Sequence, residues 1–378
     1  ILTLTGLVSR LMGFFYRIFL SHTIGAQGVG IYQLTLPVHA IVLAACCMGI
    51  QAAISRLCAS FTALGKEKES RDALLLGTFL SMALCGLLSF LVYWNADFVA
   101  SALLKEPRTA VLLRILAFSF PFSALHSCVN SFYYARKTTG IPAFILLLEQ
   151  ISRIGSTYVI YLILISQKKE ITPVIAAGGA LFSELTATAA CMLALGLDFS
   201  RENYKPVTGL LRRILRVFFC MSKGTHRNSP SAVKYISHIQ PSFVKNNTAT
   251  SLNSLIKEIA KIAVPHSINR LLLTLLSGIE MVLIPQRLLL SGINQTDSLS
   301  VYGIFTGMAL PLILFPATLT NSASVMLMPS VASLQALGHE KKIRHVIRRT
   351  CENCFFFGAF CTFFFFIFGK SLGNFLFH

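Results

Sequence analysis

Charge is scarce in this chain: Asp, Glu, Lys and Arg make up 13% of its 378 residues, about half the share found in soluble domains. Four stretches carry none at all: Ile18 to Ser55, Ala73 to Ala96, Ile115 to Ala135 and Ser298 to His339. Each exceeds the roughly 18 residues that mark a membrane-spanning helix. With 54% hydrophobic residues and a mean hydropathy of +0.67, the pattern excludes an ordinary soluble domain. Strand-like alternation between regular turns is also missing, so the spans are expected to be helices, the other way of satisfying backbone groups in lipid.

Catalytic motifs are missing as well. No Asp-x-Asp, HExxH, phosphate-binding Gly-rich loop or Gly-x-Ser-x-Gly occurs, so nothing supports an enzyme, and no cofactor is expected. Cys351 and Cys354 form a CxxC pair with no second pair and no βαβ context, and are assigned no metal or redox role. Of ten cysteines, Cys46, Cys47, Cys85, Cys128 and Cys191 lie inside apolar runs, where they are expected to be packing residues rather than a disulfide framework.

Acids are outnumbered, 15 against 33 basic residues. The excess of +18 does not point to nucleic acid, because most basic residues fall between the apolar runs. The runs predict helices near 3–24, 31–57, 72–94, 110–134, 141–165, 173–196, 258–290, 300–335 and 352–368, with a tenth from about Ser371. With a cytoplasmic N-terminus, the inner loops hold 20 Lys and Arg and the outer loops four, an asymmetry that sets this orientation in a cell membrane. The segment 198–257 reads as a basic cytoplasmic linker, a solvated connector first and, as the alternative, one partly ordered on anionic membrane lipids. A start without Met and an end within "FFFFIFGKSLGNFLFH" read as a piece of a longer protein.

A repeat lies within the chain. Gly30-Ile31-Tyr32 recurs as Gly303-Ile304-Phe305, and "SFTALGKEK" from Ser60 recurs as "SLQALGHEK" from Ser333, both at an offset of 273. Six helices separate the copies, so the repeats are parallel about an axis along the membrane normal. The expected fold is all-α: an N-terminal six-helix lobe over 1–197, the linker, and a partial C-terminal lobe over 258–378 with helices seven to ten.

Against this oily background the charged residues inside the spans stand out. Arg10 and Arg17 in "SRLMGFFYR" are seven apart, which puts both guanidinium groups on nearly one face about 10 Å apart. Each costs at least ~2.5 kcal/mol at mid-span, and such residues face a bundle interior or a wet cavity. Snorkelling to a helix end is the alternative for either one. Arg56 and Arg270 add cationic sites near the lobe seam, and Arg287 reads as an interfacial anchor. Glu149 and Arg153 form an i,i+4 pair that can neutralise itself. A gating or ion-coupling role is the other reading of that pair, and Glu280 is grouped with it. Pro37, Pro121, Pro265, Pro285, Pro311 and Pro316 are expected to kink spans.

Three stretches, "SRLMGFFYRIFLSHTIGAQGVGIYQLTLPV", "AAISRLCASFTALGKEKESRDAL" and "VPHSINRLLLTLLSGIEMVLIPQRL", carry a family resemblance. They resemble the polysaccharide and lipid-linked oligosaccharide flippase branch of the multidrug/oligosaccharidyl-lipid/polysaccharide superfamily. The likeness covers nearly all of the chain outside residues 212–250. It implies two facing lobes and an undecaprenyl-diphosphate-linked saccharide moved from the cytoplasmic to the outer leaflet. Arg10, Arg17, Arg56 and Arg270 would match the cavity arginines of related lipid II flippases, although those place the second arginine six residues after the first rather than seven. The resemblance also implies further terminal helices. The rival within the superfamily is a cation-coupled drug antiporter, which commonly relies on an acid in the first helix.

Overall fold

The computed structural model describes residues 2–136, 138–201, 252–314, 316–317, 320 and 340–377, and within them every regular element is a helix. Among the described residues, eight helices are long and apolar enough to cross a membrane. The longest apolar stretch, Leu4–Thr62, runs for 59 residues, about 90 Å as helix and far more than a 30 Å hydrocarbon core. It crosses twice, because helix α1 (Leu2–Leu43) is broken at Gly25, whose φ of 67° and ψ of 172° lie outside the helical region. Only a residue without a Cβ takes that conformation cheaply. The "GAQGVG" connection predicted as a loop is therefore a single-residue corner, with helix resuming at once.

The second leg of α1 continues through a wide π-helical turn, Ala44–Met48, into α2 (Gly49–Ala63). After it come α3 (Glu67–Trp94), the short α4 (Ala96–Phe98) with a π turn at Val99–Leu103, α5 (Thr109–Ala135), α6 (Gly140–Ser166) and α7 (Val174–Arg201). The two legs of α1 with α2, and then α3, α5, α6 and α7, make six crossings that pack as one lobe. The second lobe is described through α8 (Leu252–Leu290), α9 (Gln295–Gly303), a π turn at Ile304–Ala309, α10 (Leu310–Leu314) and α11 (Glu340–Phe377). The helix predicted at 300–335 is described up to α10, and most of the linker, residues 202–251, lies outside the described residues, as does the second copy of the Ser60 motif. The break predicted near Ser371 is absent: α11 runs unbroken to Phe377, since neither Gly369 nor Lys370 forces a helix to end. Among described residues α11 touches the first lobe through its far end, where the Leu376 carbonyl lies 3.2 Å from His22 Nε2.

One apolar core joins the two lobes. Ile54, Leu57 and Phe120 of the first and Ile259, Leu299 and Tyr302 of the second belong to the same buried cluster. The repeat explains the closeness. Gly30 and Gly303, equivalent in the two copies, lie against one another. A Cβ added to Gly303 would fall 2.7 Å from Gly30 N and overlap the Ala26 carbonyl oxygen; one added to Gly30 would fall 3.3 Å from Gly303 N. Backbones that approach this closely exclude every side chain.

Wide turns accompany the prolines Pro37 and Pro311, the first following its proline and the second preceding it. The second relieves the helical ladder where the Pro311 ring has removed the bond to Gly307, whereas the first lies two turns beyond Pro37. The structure also corrects the view of all the buried cysteines as packing residues. Cys46 in the π turn and Cys85 on α3 form a disulfide, with Cα atoms 5.6 Å apart, whereas Cys47, Cys58, Cys128 and Cys191 are free and buried. Apolar surroundings alone do not reveal a partner 39 residues away on another helix.

Candidate functional site

A cavity of about 410 Å³ lies at the seam of the lobes, within the size range of small-ligand sites. The first leg of α1 contributes Ser9, Arg10, Gly13 and Arg17, and the second leg contributes Tyr32 and Gln33. Gln150 and Arg153 project from α6, while Pro311 and Leu314 close the cavity from α10. No Asp or Glu lies among these lining residues.

Local packing sets the direction of the arginines. Tyr16 turns inward, buried, and its hydroxyl lies 3.1 Å from Thr157 Oγ1 on α6. Thr157 in turn donates to the Arg153 carbonyl at 2.8 Å. With the rotation of the first leg fixed this way, the next residue, Arg17, faces the seam, half-buried, and Arg10 faces it two turns below. Counting from the corner at Gly25, Arg17 lies about 12 Å and Arg10 about 22 Å along the helix. A charge on a membrane-crossing helix persists where water or a counter-ion lies beside it.

Arg153 joins them from the opposite wall. Its Nη2 donates to Glu149 Oε1 at 2.5 Å and its Nε to Ser183 Oγ on α7 at 3.3 Å. The i,i+4 pair thus exists as a contact, and one of its members also lines the cavity. Sequence reasoning treated Arg153 as half of a self-neutralising pair and did not place it beside Arg10 and Arg17, because nothing in spacing relates α6 to α1.

The remaining expected site residues lie elsewhere. Arg270 lines a second pocket of about 370 Å³ with Gln51, Ser55, Ser131 and His266, on the flank where α8 crosses α2. Arg56, next after Ser55, is exposed and does not line that pocket, its carbonyl accepting from Ser60 Oγ at 3.0 Å. Glu280 is exposed on α8 and lines neither pocket. The physical reason is the crossing at Gly49, where a Cβ would lie 3.0 Å from Ser267 N. Contact this close between α2 and α8 separates their flank from the central cavity.

A polar latch crosses the seam at the end where α1 turns. Glu106, in the loop before α5, is 3% exposed at its side chain and accepts from Arg108 Nε at 2.6 Å and Nη2 at 3.2 Å. It also accepts from Gln295 Nε2 of the second lobe at 3.0 Å. With its amide oriented to accept, Gln27 takes both Arg108 Nη groups at 2.9 and 3.1 Å. Burial alone would raise the Glu106 carboxyl, but the hydrogen bonds and charge of Arg108, aided by Gln295, outweigh it and hold the group below its ordinary value. Sequence reasoning counted Arg108 only as an outer-loop charge.

Among the described residues no group of His, Cys, Asp and Glu is placed to hold a metal ion.

Comparison with known proteins agrees with this architecture. Residues 2–159 match the MatE family. The chain is 24% identical over 376 residues to stage V sporulation protein B of Bacillus subtilis, covering 98% of this chain and 64% of that protein. It is 21% identical over 364 residues to lipid II flippase MurJ of Bacillus subtilis, covering 94% of this chain and 61% of that protein. The chain therefore spans less than two thirds of the length of either relative. A solved structure, described as the inward-facing conformation of a multidrug resistance MATE family transporter of the MOP superfamily, matches 100% of this chain and 72% of its own. The TM-score is 0.62 at 14% identity, which establishes a shared fold. The chain is thus a multi-pass membrane protein, helical in its described regular elements, that shares the fold of that transporter and resembles stage V sporulation protein B and lipid II flippase MurJ in sequence.

Proposed function

We propose that this chain is a flippase that moves an undecaprenyl-diphosphate-linked saccharide, a polysaccharide or peptidoglycan precursor, from the cytoplasmic to the outer leaflet of the plasma membrane. The observation that carries the reading is the convergence of Arg10, Arg17 and Arg153 on one seam cavity with no acid in its lining. Guanidinium groups bind phosphate oxygens in pairs through their planar fork, and a diphosphate headgroup fits a cavity of this charge. The lipid tail stays in the bilayer beside the seam while the lobes rock to reverse access. Arg270 and Arg56 lie apart from the cavity, on the flank between α2 and α8, and are assigned to the approach of the headgroup from the basic, cytoplasmic side, on which this reading also puts the N-terminus. The relatives named for sporulation and for lipid II support this substrate class.

The test is transport by the full-length protein in liposomes carrying fluorescent undecaprenyl diphosphate saccharides. Arg17→Glu, and separately Arg10→Glu, are expected to abolish outward movement with little change in membrane expression. Undiminished transport by both charge reversals would refute the reading. The MatE family match and the shared fold favour one other reading, a cation-coupled multidrug antiporter. Three cavity arginines repel cationic drugs, and efflux of a cationic dye that survives without any lipid-linked substrate would favour that rival.

A further inference from the structure

Behind the cavity, the first lobe buries ionisable groups that the transport reading leaves unused. His126 on α5 and Glu184 on α7 have side chains only 12% and 8% exposed, and His126 Nδ1 lies 3.1 Å from Glu184 Oε2. Neither of these two buried atoms has a directed hydrogen bond to any described residue. A neutral imidazole with its N–H on Nδ1 satisfies both atoms at a net charge of −1, and a second ring proton makes the pair imidazolium and carboxylate, neutral together; that second proton is the one the pair can gain or lose.

The charges around this pair close the argument. Glu149 and Arg153 face it from α6, His39 and Tyr32 from the second leg of α1, and Cys47 from the π turn. The Ser123 hydroxyl, one turn from His126, faces Glu184. Glu149 and Arg153 neutralise one another at 2.5 Å. With a second proton on the His126–Glu184 pair, as imidazolium and carboxylate, the whole cluster is neutral; without it, the neutral imidazole and the carboxylate leave a net negative charge inside the lobe. Such a charge is costly unless a cation moves toward it. Arg153 is the cation at hand, since its Nε already touches Ser183, the residue before Glu184, while its side chain also lines the cavity.

We propose that His126 and Glu184 form a one-proton site that sets how much of the Arg153 charge is available to an anion in the central cavity. The proposal rests on the transport reading and adds to it a linkage between protons and substrate. When the pair holds its second proton, Glu149 alone competes with the cavity for Arg153. When the proton leaves to water, two carboxylates share one guanidinium and draw it back from the cavity. An anion in the cavity makes the opposite demand on the same side chain, so proton and anion bind with positive coupling. The coupling is reciprocal: filling the cavity draws a proton onto the pair, and emptying it releases that proton. Glu184 and His126 are positioning residues here, acting through Arg153 and touching no substrate.

The experiment is calorimetric binding of undecaprenyl diphosphate to the full-length protein in lipid nanodiscs, in two buffers of different ionisation enthalpy so that protons are counted. Wild type, Glu184→Gln and His126→Gln are compared between about pH 6 and 9, with melting curves to establish that each variant is folded. Wild type is expected to take up more protons per bound probe than either variant, by a margin approaching one. Its affinity should also fall more steeply with pH, by up to about tenfold per unit, while both variants still bind. Ionisation of the probe itself is common to all three proteins and cancels. Equal proton counts and equal pH slopes in wild type and either folded variant would overturn the one-proton site and leave the transport reading standing. Absence of binding by wild type at every pH would overturn the transport reading, and this inference with it.

Discussion

Replacing Gly303 by alanine tests whether the seam of the two lobes is a working surface. In the closed crossing the added methyl would lie 2.7 Å from Gly30 N and would overlap the Ala26 carbonyl. Ordinary contact begins at 3.4 Å and the nearest obstacle, the Ala26 carbonyl oxygen, would lie at 2.1 Å, so α9 must retreat from α1 by about 1.3 Å. Both obstacles are backbone atoms, which cannot rotate away as a side chain would. Overpacking of this kind costs roughly 1–3 kcal/mol, and all of it falls on the state in which the two backbones touch. If the lobes exchange between closed and open arrangements at this end, the same free energy shifts the populations by about 5- to 150-fold. Spin labels at the exposed positions Ser101 and Ser291 would report a longer or broader distance distribution across the seam. Gly30→Ala, the repeat-equivalent change, should act in the same direction. Gly86→Ala, where a Cβ meets nothing within 4 Å, should leave the distribution unchanged. A Gly303→Ala protein with the wild-type distribution and thermal stability would refute the idea that this contact governs lobe separation.

Two further outcomes follow from the polar contacts. Because the Glu106 carboxyl is held below its ordinary value by Arg108 and Gln295, the latch contributes fully above the unfolded carboxylate pKa of about 4.3. That contribution is lost as pH falls through the depressed folded value; the cross-seam distance should therefore be flat through neutral pH and widen only in strong acid, whereas Glu106→Ala, at a cost of roughly 1–3 kcal/mol, should widen it at pH 7. Arg153→Gln leaves Glu149 as an uncompensated carboxylate inside the lobe and should destabilise by about 3–5 kcal/mol. The double variant Arg153→Gln with Glu149→Gln should recover most of that loss, as measured by thermal melting in detergent.

The crossings were legible in the sequence because lipid leaves few choices: a charge-free run of spanning length must satisfy its own backbone, and the helix does so at every residue. The repeat was legible for a related reason. Gly30 and Gly303 keep their register across 273 residues, and the structure shows why no other residue fits at either position. The corner at Gly25 was not legible, since "GAQGVG" contains three glycines and only one adopts the positive φ that breaks the helix. Arg10 and Arg17 announced themselves by cost, as isolated charges in apolar helix. Arg153 did not, because a carboxylate one turn away explained it locally. His126 left no signal of its own: only the packing of α5 against α7 brings it to Glu184, and spacing carries no information between helices that meet 58 residues apart.

The charge inventory of the cavity narrows what can occupy it. Arg10, Arg17 and Arg153 supply three positive charges to its wall, and the Glu149 carboxylate beside Arg153 answers one of them. The site is left with an excess of two. Like charges gathered in one cavity are screened less than charges spread over a soluble surface, and a bound anion repays much of the cost of keeping them together. A monoanion would leave half of the excess standing, and a cation would add to it, by about 4 kcal/mol for one unit-charge pair at 4 Å with an effective dielectric near 20. A diphosphate diester carries two negative charges on adjacent groups and matches the excess. Loss of the second proton held by His126 and Glu184 would bring a second carboxylate to bear on Arg153 and lower that excess toward one. On this account a single proton in the lobe core decides whether the cavity matches a dianion, and binding should be lost by degrees as pH rises, not by any change in the shape of the site.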